Sequence, residues 1–479
     1  MSITWYAPLV ILVGLGLWLG GDVLGSVVAL LFFSLFGGGA AFVLGTTSIQ
    51  PTSLFQIFLL AHLLLSMFTR TSHVNIGLKT NGYLMFYSIY GAVTAFILPR
   101  IFARSMALPP MLINNSDTYY VSALGFSRQN ITTAIYMMGT LAASICAGAA
   151  TADPKSRRVI VNWSILIAWA HVGFGVLGVI ATKAGGSAII SFFRNAKYAE
   201  LNEQTVGFVR MDGIFPEPSS YGAYAFVWFV FMVELWLRQI KPIWTGLTAA
   251  ALLAVLLACT STTAYFSLAA YAGVMLARWV IAPGGLQLRK LAVLGFGGLS
   301  VICLVLALVA FVPSIAGLLS RALASMTVHK LDSTSGLQRA FWVKAGVVAF
   351  VKSHGLGVGA GSFRCSSLIF AILGATGVVG TAAFACVVLN ILQPLRAKTY
   401  DLSSASRDAV GASAAWAACA GLFPALVSLP SPDPGVLFGV FGGLALGWGY
   451  LAEKSRPASP LPALFARRGE VGSPEVAAI

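Results

Sequence analysis

Arg210-Met-Asp-Gly-Ile-Phe-Pro-Glu-Pro-Ser-Ser-Tyr-Gly-Ala-Tyr224 is a polar turn that runs directly into the apolar stretch Ala225-Phe-Val-Trp-Phe-Val-Phe-Met-Val-Glu-Leu-Trp-Leu237. An apolar run of roughly 17–25 residues crosses a ~30 Å hydrocarbon layer as a helix, so 221–237 reads as a membrane span with chemistry at its mouth. Proline fixes φ near −65° and donates no backbone hydrogen bond, so Pro216 and Pro218 stiffen the position of Glu217 between them. Pro218 also suits a first helical turn. Glu217 therefore falls at or just before a helix N-terminus at a membrane surface, a place for a reactive carboxylate or for a plain cap.

The same pattern extends through the chain. Apolar runs at about 5–20, 24–45, 54–68, 83–98, 130–149, 159–181, 221–237, 243–259, 263–282, 291–311, 366–393, 408–428 and 436–452 are the candidate spans. The first is short and pairs readily with the second as a hairpin, which gives 12 or 13 spans. The run from Trp244 to Ile281 is too long for one helix and divides at Cys259-Thr-Ser-Thr-Thr263, read as a tight turn. Composition agrees: of 479 residues 58% are hydrophobic and 9% charged, and mean hydropathy is +0.86, where a soluble domain carries about 25% charged residues. An all-α polytopic membrane protein is expected, one transmembrane domain over 1–454 and a disordered, Pro-containing cytoplasmic tail over 455–479. The first apolar run lacks a basic flank and ends in Gly20-Gly21-Asp22, which reads as a retained helix rather than a cleaved signal.

The formal charge is +15, but Lys and Arg fall between apolar runs rather than in a patch interleaved with aromatics, which argues against nucleic acid. The six cysteines are scattered, with no CxxC and no His/Cys metal spacing, and read as small core residues; neither metal nor cofactor is expected. The connections 69–82, 150–158, 238–243, 278–290, 394–408 and the tail carry the denser Lys and Arg. By the positive-inside rule they are cytoplasmic. The connections 99–129, 182–220 and 312–365 then face outward, the last two being the large outer loops, and charge is expected to sit in loops rather than within the membrane. Basic residues remain in those outer loops, to meet anionic lipid headgroups or an anionic substrate.

A second polar stretch is Ser335-Gly-Leu-Gln-Arg339-Ala-Phe-Trp342-Val-Lys344, continuing through Ser353-His354 to Gly355-Leu-Gly357-Val-Gly359-Ala-Gly361-Ser-Phe-Arg364. Residues 336–353 read as a surface helix with Leu337, Phe341, Val348 and Val351 apolar. Arg339 and Lys344 are about 140° apart around it and do not share a face. The alternating glycines suit an anion-cradling nest or a flexible turn back into the next span. They form neither a P-loop nor a Rossmann fingerprint. Guanidinium forks match phosphate and pyrophosphate, so Arg210 and Arg339 are candidates to clamp one pyrophosphate. Glu217 is the candidate general base, with His354 and His329 behind it. Asp212 is a candidate partner for Arg210. Arg128, Lys344, His354, Gly355, Gly357 and Arg364 are candidate substrate contacts. Tyr221 and Tyr224 read first as interfacial aromatics whose faces also stack on sugars. His62 and His171, inside apolar runs, are expected to hydrogen-bond between helices.

Arg210-x-x-Gly213, then Phe215-Pro-Glu-Pro-Ser-Ser-Tyr-Gly222, the Ser261-Thr-Thr turn, and Arg339 followed by Gly355, Gly357, Gly359 and Gly377-x-x-Gly380 resemble, over roughly residues 120–450, the bacterial O-antigen polymerase and O-antigen ligase superfamily. The resemblance implies a GT-C-like, metal-independent inverting glycosyltransferase without a cofactor, in the bacterial inner membrane. It would act at the outer face on undecaprenyl-pyrophosphate-linked oligosaccharide, alongside a chain-length regulator and a flippase. Ligases of that superfamily place a His-Asn pair shortly before the Gly-x-x-Gly span, about nine residues ahead of a Glu. Here Ser366 and Ala375 stand near the His and Glu positions, which favours a polymerase over a ligase that moves finished glycan to lipid A core or protein. A transporter or flippase for lipid-linked sugars is the reading from another class. The internal repeats and mid-membrane charges typical of transporters are not apparent in the sequence.

Overall fold

The computed structural model describes residues 2–45, 47–69, 71–112, 119–198, 204–205, 208–281, 334–392 and 409–454. The expected span at 291–311, His329, part of the 312–365 loop and the tail lie outside them. The elements are α1 (Tyr6–Gly20), α2 (Val23–Phe33), α3 (Pro51–Thr69), α4 (Thr71–Thr80), α5 (Gly82–Ile101), α6 (Arg128–Ala150), α7 (Ser156–Lys183), α8 (Ser187–Phe193), α9 (Pro218–Leu237), α10 (Pro242–Ala258), α11 (Thr262–Ile281), α12 (Thr334–Lys352), α13 (Leu368–Leu392), α14 (Ala409–Ala420), α15 (Leu422–Ser428) and α16 (Val436–Lys454). Among the described residues eight helical segments are long and apolar enough to cross a membrane: 51–68, α5, α6, α7, α9, α13, 409–428 and α16. Three more apolar helices, α1, α2 and α10, are shorter. The protein is an all-α polytopic membrane protein.

Several expected elements form as read. Pro218 opens α9, and the run from Trp244 to Ile281 divides into α10 and α11 at Cys259–Ser261. The expected span at 24–45 is corrected. It stops at Phe33, and residues 42–44 (β2) pair antiparallel with 47–49 (β3) and with 2–3 (β1). The cause is Gly37-Gly38-Gly39. A Cβ on Gly38 would stand 2.5 Å from the Ile214 carbonyl oxygen, and one on Gly39 2.7 Å from the Tyr6 ring. The chain is held here by close backbone packing that a helix would not reach.

The bundle is built around α6, whose second half is almost wholly buried. Gly439, Gly443 and Gly447 of α16 lie against Thr140, Ser144 and Gly148 of α6, advancing by one turn each time, so the two helices run parallel with backbones in contact. A Cβ at Gly443 would fall 2.1 Å from the Ser144 carbonyl oxygen. Such small-residue seams are how helices associate where lipid removes the hydrophobic incentive. His62 follows the sequence reading, with Nδ1 3.1 Å from the Ser26 hydroxyl across the α2–α3 contact. His171 of α7 also meets a neighbouring helix: its carbonyl accepts from the Tyr221 hydroxyl of α9 at 3.4 Å and its ring stacks on Tyr221 with centroids 4.1 Å apart, while its Nε2 has no hydrogen-bond partner among the described residues.

Charge does enter a span. Glu234 of α9, fully buried, takes Arg278 Nη1 at 2.5 Å and the Tyr271 hydroxyl at 2.8 Å, and pairs with Arg238 one turn on. The Arg278 guanidinium lies 3.9 Å over the Trp416 ring. Two cations on one carboxylate tie α9 to α11 and α14 at the end of the bundle away from Glu217.

Candidate functional site: a carboxylate-lined cavity and two converging arginines

The turn ahead of α9 is held from below. Arg194, which follows α8, pairs with Asp212 at 2.7 Å and donates to the Pro216 carbonyl at 3.1 Å. Gly213 takes φ +53° and packs against the α7 backbone at Gly175 and Gly178. Ile214 and Phe215 are buried beside it. Glu217 stands at the N-cap position with extended backbone, yet its side chain accepts no backbone amide. Its Oε1 accepts from the hydroxyls of Ser219 and Ser220 instead, the latter at 3.3 Å. The capping role open in the sequence is therefore not the one its side chain plays.

Glu217 lines a cavity of about 660 Å³ whose walls include Gln50, Gln56, Tyr136, Tyr198, Ser220, Tyr224, Arg364 and Asp433. Asp433 is the residue that sequence reasoning missed. It lies in Leu429-Pro-Ser-Pro-Asp-Pro-Gly435, a segment that reaches halfway along α6, where the Thr140 hydroxyl faces the carboxyl. The segment is pinned by the Tyr87 hydroxyl donating to the Pro432 carbonyl at 2.6 Å and by the Cys365 amide donating to the Pro430 carbonyl at 3.1 Å. Asp433 Oδ1 is buried with no hydrogen-bond partner among the described residues. Burial pushes the carboxyl up to about 6, although the Thr140 hydroxyl and the Gly435 amide pull it down. A signal existed in the sequence: Pro432-Asp433-Pro434 repeats the bracket of Pro216-Glu217-Pro218, again just before a helix.

Arg210 and Arg339 come from segments far apart in sequence and meet at one turn. Arg210 Nη2 donates to the Thr260 carbonyl at 3.2 Å, and Arg339 Nη1 lies 3.4 Å from Thr263 Oγ1 and 3.5 Å from the Val427 carbonyl. Neither lines the cavity, but Val427 precedes Ser428 of its wall. Arg364 does line it, held over the Trp342 ring at 4.4 Å with its amide on the Pro109 carbonyl at 3.0 Å.

The other expected contacts are elsewhere. Tyr221 is fully buried in the stack with His171 and has no face for a sugar. Arg128, Lys344 and His354 are exposed on the surface, outside the cavity wall. The glycine run is a stitch rather than an anion nest. Gly377 (φ +65°, ψ −160°) interrupts α13, and the Val358 and Gly359 amides donate to the carbonyls of Gly374 and Ala375 at 2.9 and 2.8 Å. The Gly357 amide donates to Ser353 Oγ at 2.8 Å. The Val378 amide returns a bond to the Gly355 carbonyl at 2.9 Å. These amides are spent on the helix kink. A Cβ at Gly357 would come within 2.5 Å of the Ala375 carbonyl oxygen. The surface helix expected at 336–353 forms as α12, but it buries Trp342, Ala345 and Ala349, while Leu337 and Val351 stay exposed.

Comparison with known protein families, with curated proteins and with solved structures finds no match for this chain.

Proposed function

We propose that the protein is a membrane glycosyltransferase of GT-C type that polymerises undecaprenyl-pyrophosphate-linked oligosaccharide repeat units into O-antigen or exopolysaccharide. It works at the outer face of the bacterial inner membrane, with the C-terminus in the cytoplasm. The observation that carries the reading is the meeting of Arg210 and Arg339 at the Thr260–Thr263 turn, beside a cavity lined by two carboxylates and by hydroxyl and amide side chains.

Transfer of a glycosyl unit from a lipid pyrophosphate builds negative charge on the departing oxygen. Preorganised cations held in a site that excludes water stabilise that charge, commonly by about 3–4 kcal/mol per donor. Both arginines are already held on carbonyl or hydroxyl oxygens of a short turn, so little reorganisation is needed to present them. A sugar hydroxyl must attack from the other side, and a lining of Gln, Tyr and Ser side chains suits the hydroxyls of the sugar that carries it. Polymerase is favoured over ligase by Ser366 and Ala375 at the positions where the resembling ligases carry His and Glu; both are buried.

The deciding experiment is a chromosomal deletion analysed by polysaccharide gel. Loss of long chains with a single repeat unit still on its acceptor is the expected result. Loss of all attached glycan with lipid-linked polymer accumulating indicates a ligase. An unchanged ladder overturns glycosyl transfer to or from this polymer.

A further inference from the structure

We propose that the cavity is the seat of the acceptor sugar and that Asp433, rather than Glu217, takes the proton from its attacking hydroxyl. The assignment rests on the glycosyl-transfer reading given above. Glu234, Glu217 and Asp433 separate by what holds them. Glu234 is neutralised by two arginines. Glu217 has its Oε1 engaged by two serine hydroxyls. Asp433 differs in that its Oδ1 is buried without a hydrogen-bond partner among the described residues, with only the Thr140 hydroxyl and the Gly435 amide reaching the carboxyl, and no Lys or Arg among those residues forms an ion pair with it. A carboxylate in that state binds a proton more tightly than an ordinary one, which is what a general base near neutrality requires.

Its surroundings fit a sugar. Tyr136 and Gln56 line the same wall, and Gln50 donates to the Tyr198 hydroxyl at 2.7 Å. These are neutral donors and acceptors rather than charges. At about 660 Å³ the volume falls in the range of small-ligand pockets, ~300–1,000 Å³. The titratable groups around Asp433 are Tyr87 of α5 and Tyr136 of α6, close enough for mutual repulsion of their anions, with Tyr198, Glu217 and Arg364 lining the same cavity. In the step itself the hydroxyl oxygen bonds the anomeric carbon and its proton passes to Asp433. The bond from that carbon to the pyrophosphate oxygen breaks with its electron pair, leaving polyprenyl pyrophosphate beside the arginines. Asp433 then returns the proton to water through the open cavity.

The test uses the full-length protein in liposomes with a lipid-linked oligosaccharide as both donor and acceptor, read by gel. Wild type is expected to form product at a rate that falls with acid below about pH 6. Asp433→Asn is expected to lose 100-fold or more, in line with the ~10²–10⁴ typical of general bases, while melting at pH 7.5 no lower than wild type. Glu217→Gln is expected to lose less than tenfold and to keep the acid limb, and Asp433→Glu is expected to retain partial rate with that limb displaced. Asp433→Asn within tenfold of wild type, or an acid limb unmoved in Asp433→Glu, overturns the assignment. No product from wild type overturns glycosyl transfer itself, a result the variants do not mimic.

Discussion

Pro216-Glu217-Pro218 and Pro432-Asp433-Pro434 are the same local device, a carboxylate fixed between two prolines ahead of a membrane helix, and both open onto one cavity. They differ in what their oxygens meet. Glu217 is followed by Ser219 and Ser220, whose hydroxyls solvate it from within its own first helical turn. Asp433 is followed by Pro434 and Gly435, which carry no hydroxyl; the Gly435 amide and, from α6, the Thr140 hydroxyl reach its carboxyl, and its Oδ1 stays buried without a partner among the described residues. The same device thus places both carboxylates at the cavity, whereas the neighbouring donors differ with the packing of each segment.

The largest effects are expected at the leaving-group side, which both carboxylates presuppose. Arg210→Ala and Arg339→Ala should each lower polymer formation by about 100-fold or more, with membrane protein level retained, as loss of one preorganised donor commonly does; full-length polymer in both strains would sink the pyrophosphate clamp. Next comes the third carboxylate, which marks the fully compensated extreme. Removing one partner of a buried ion cluster typically costs about 3–5 kcal/mol, so Glu234→Gln should destabilise the fold by that order in thermal or denaturant unfolding. Gly377→Ala tests the frame behind the cavity. A side chain at φ +65°, 2.2 Å from the Gly355 carbonyl oxygen, should cost about 1–3 kcal/mol in the same assay.

Smaller again is a pH effect expected of Asp433. Asp433 has its folded value, about 6, above its ordinary one. The folded state therefore holds the proton longer than the unfolded chain, and stability falls as pH rises from about 4 to about 6 and is flat above. Acidifying from pH 7.5 to 5 should raise the melting temperature through this group, and Asp433→Asn should remove that rise; a rise that persists in Asp433→Asn would assign it to another group. Smallest is Ser219→Ala, which deletes one hydroxyl from Glu217 and should cost about 1 kcal/mol.

Much of the bundle was legible because membrane spans are written in local hydropathy. α3, α5, α6, α7, α9, α10, α11 and α16 fall where apolar runs stand. Gly37–Gly39 was the failure of that rule: the apolar run continues through it, but the chain turns because its backbone packs against Ile214 and Tyr6. Within the site, the Pro-bracketed Glu217 and the two arginines were visible by residue type. The glycine run was visible too, but its amides are consumed by the broken helix at Gly377, a partner at a distance that no spacing reveals. Tyr221 was placed at an interface because Tyr favours one, and it is instead stacked on His171.

By itself, the sequence determined that the chain is a helical membrane protein, where most helices begin and end, and that a stiffened carboxylate, Glu217, and loop arginines stand between them. These follow from the length of apolar runs, from proline's missing donor and from charge, all properties of neighbours along the chain. Only the tertiary structure decided that Arg210 and Arg339 share one turn, that Glu234 gathers two arginines, and that Asp433, its Oδ1 buried without a partner among the described residues, lines the cavity of Glu217. Each of these is set by contacts between residues distant in sequence, and burial and hydrogen-bond partners exist only once the helices have packed.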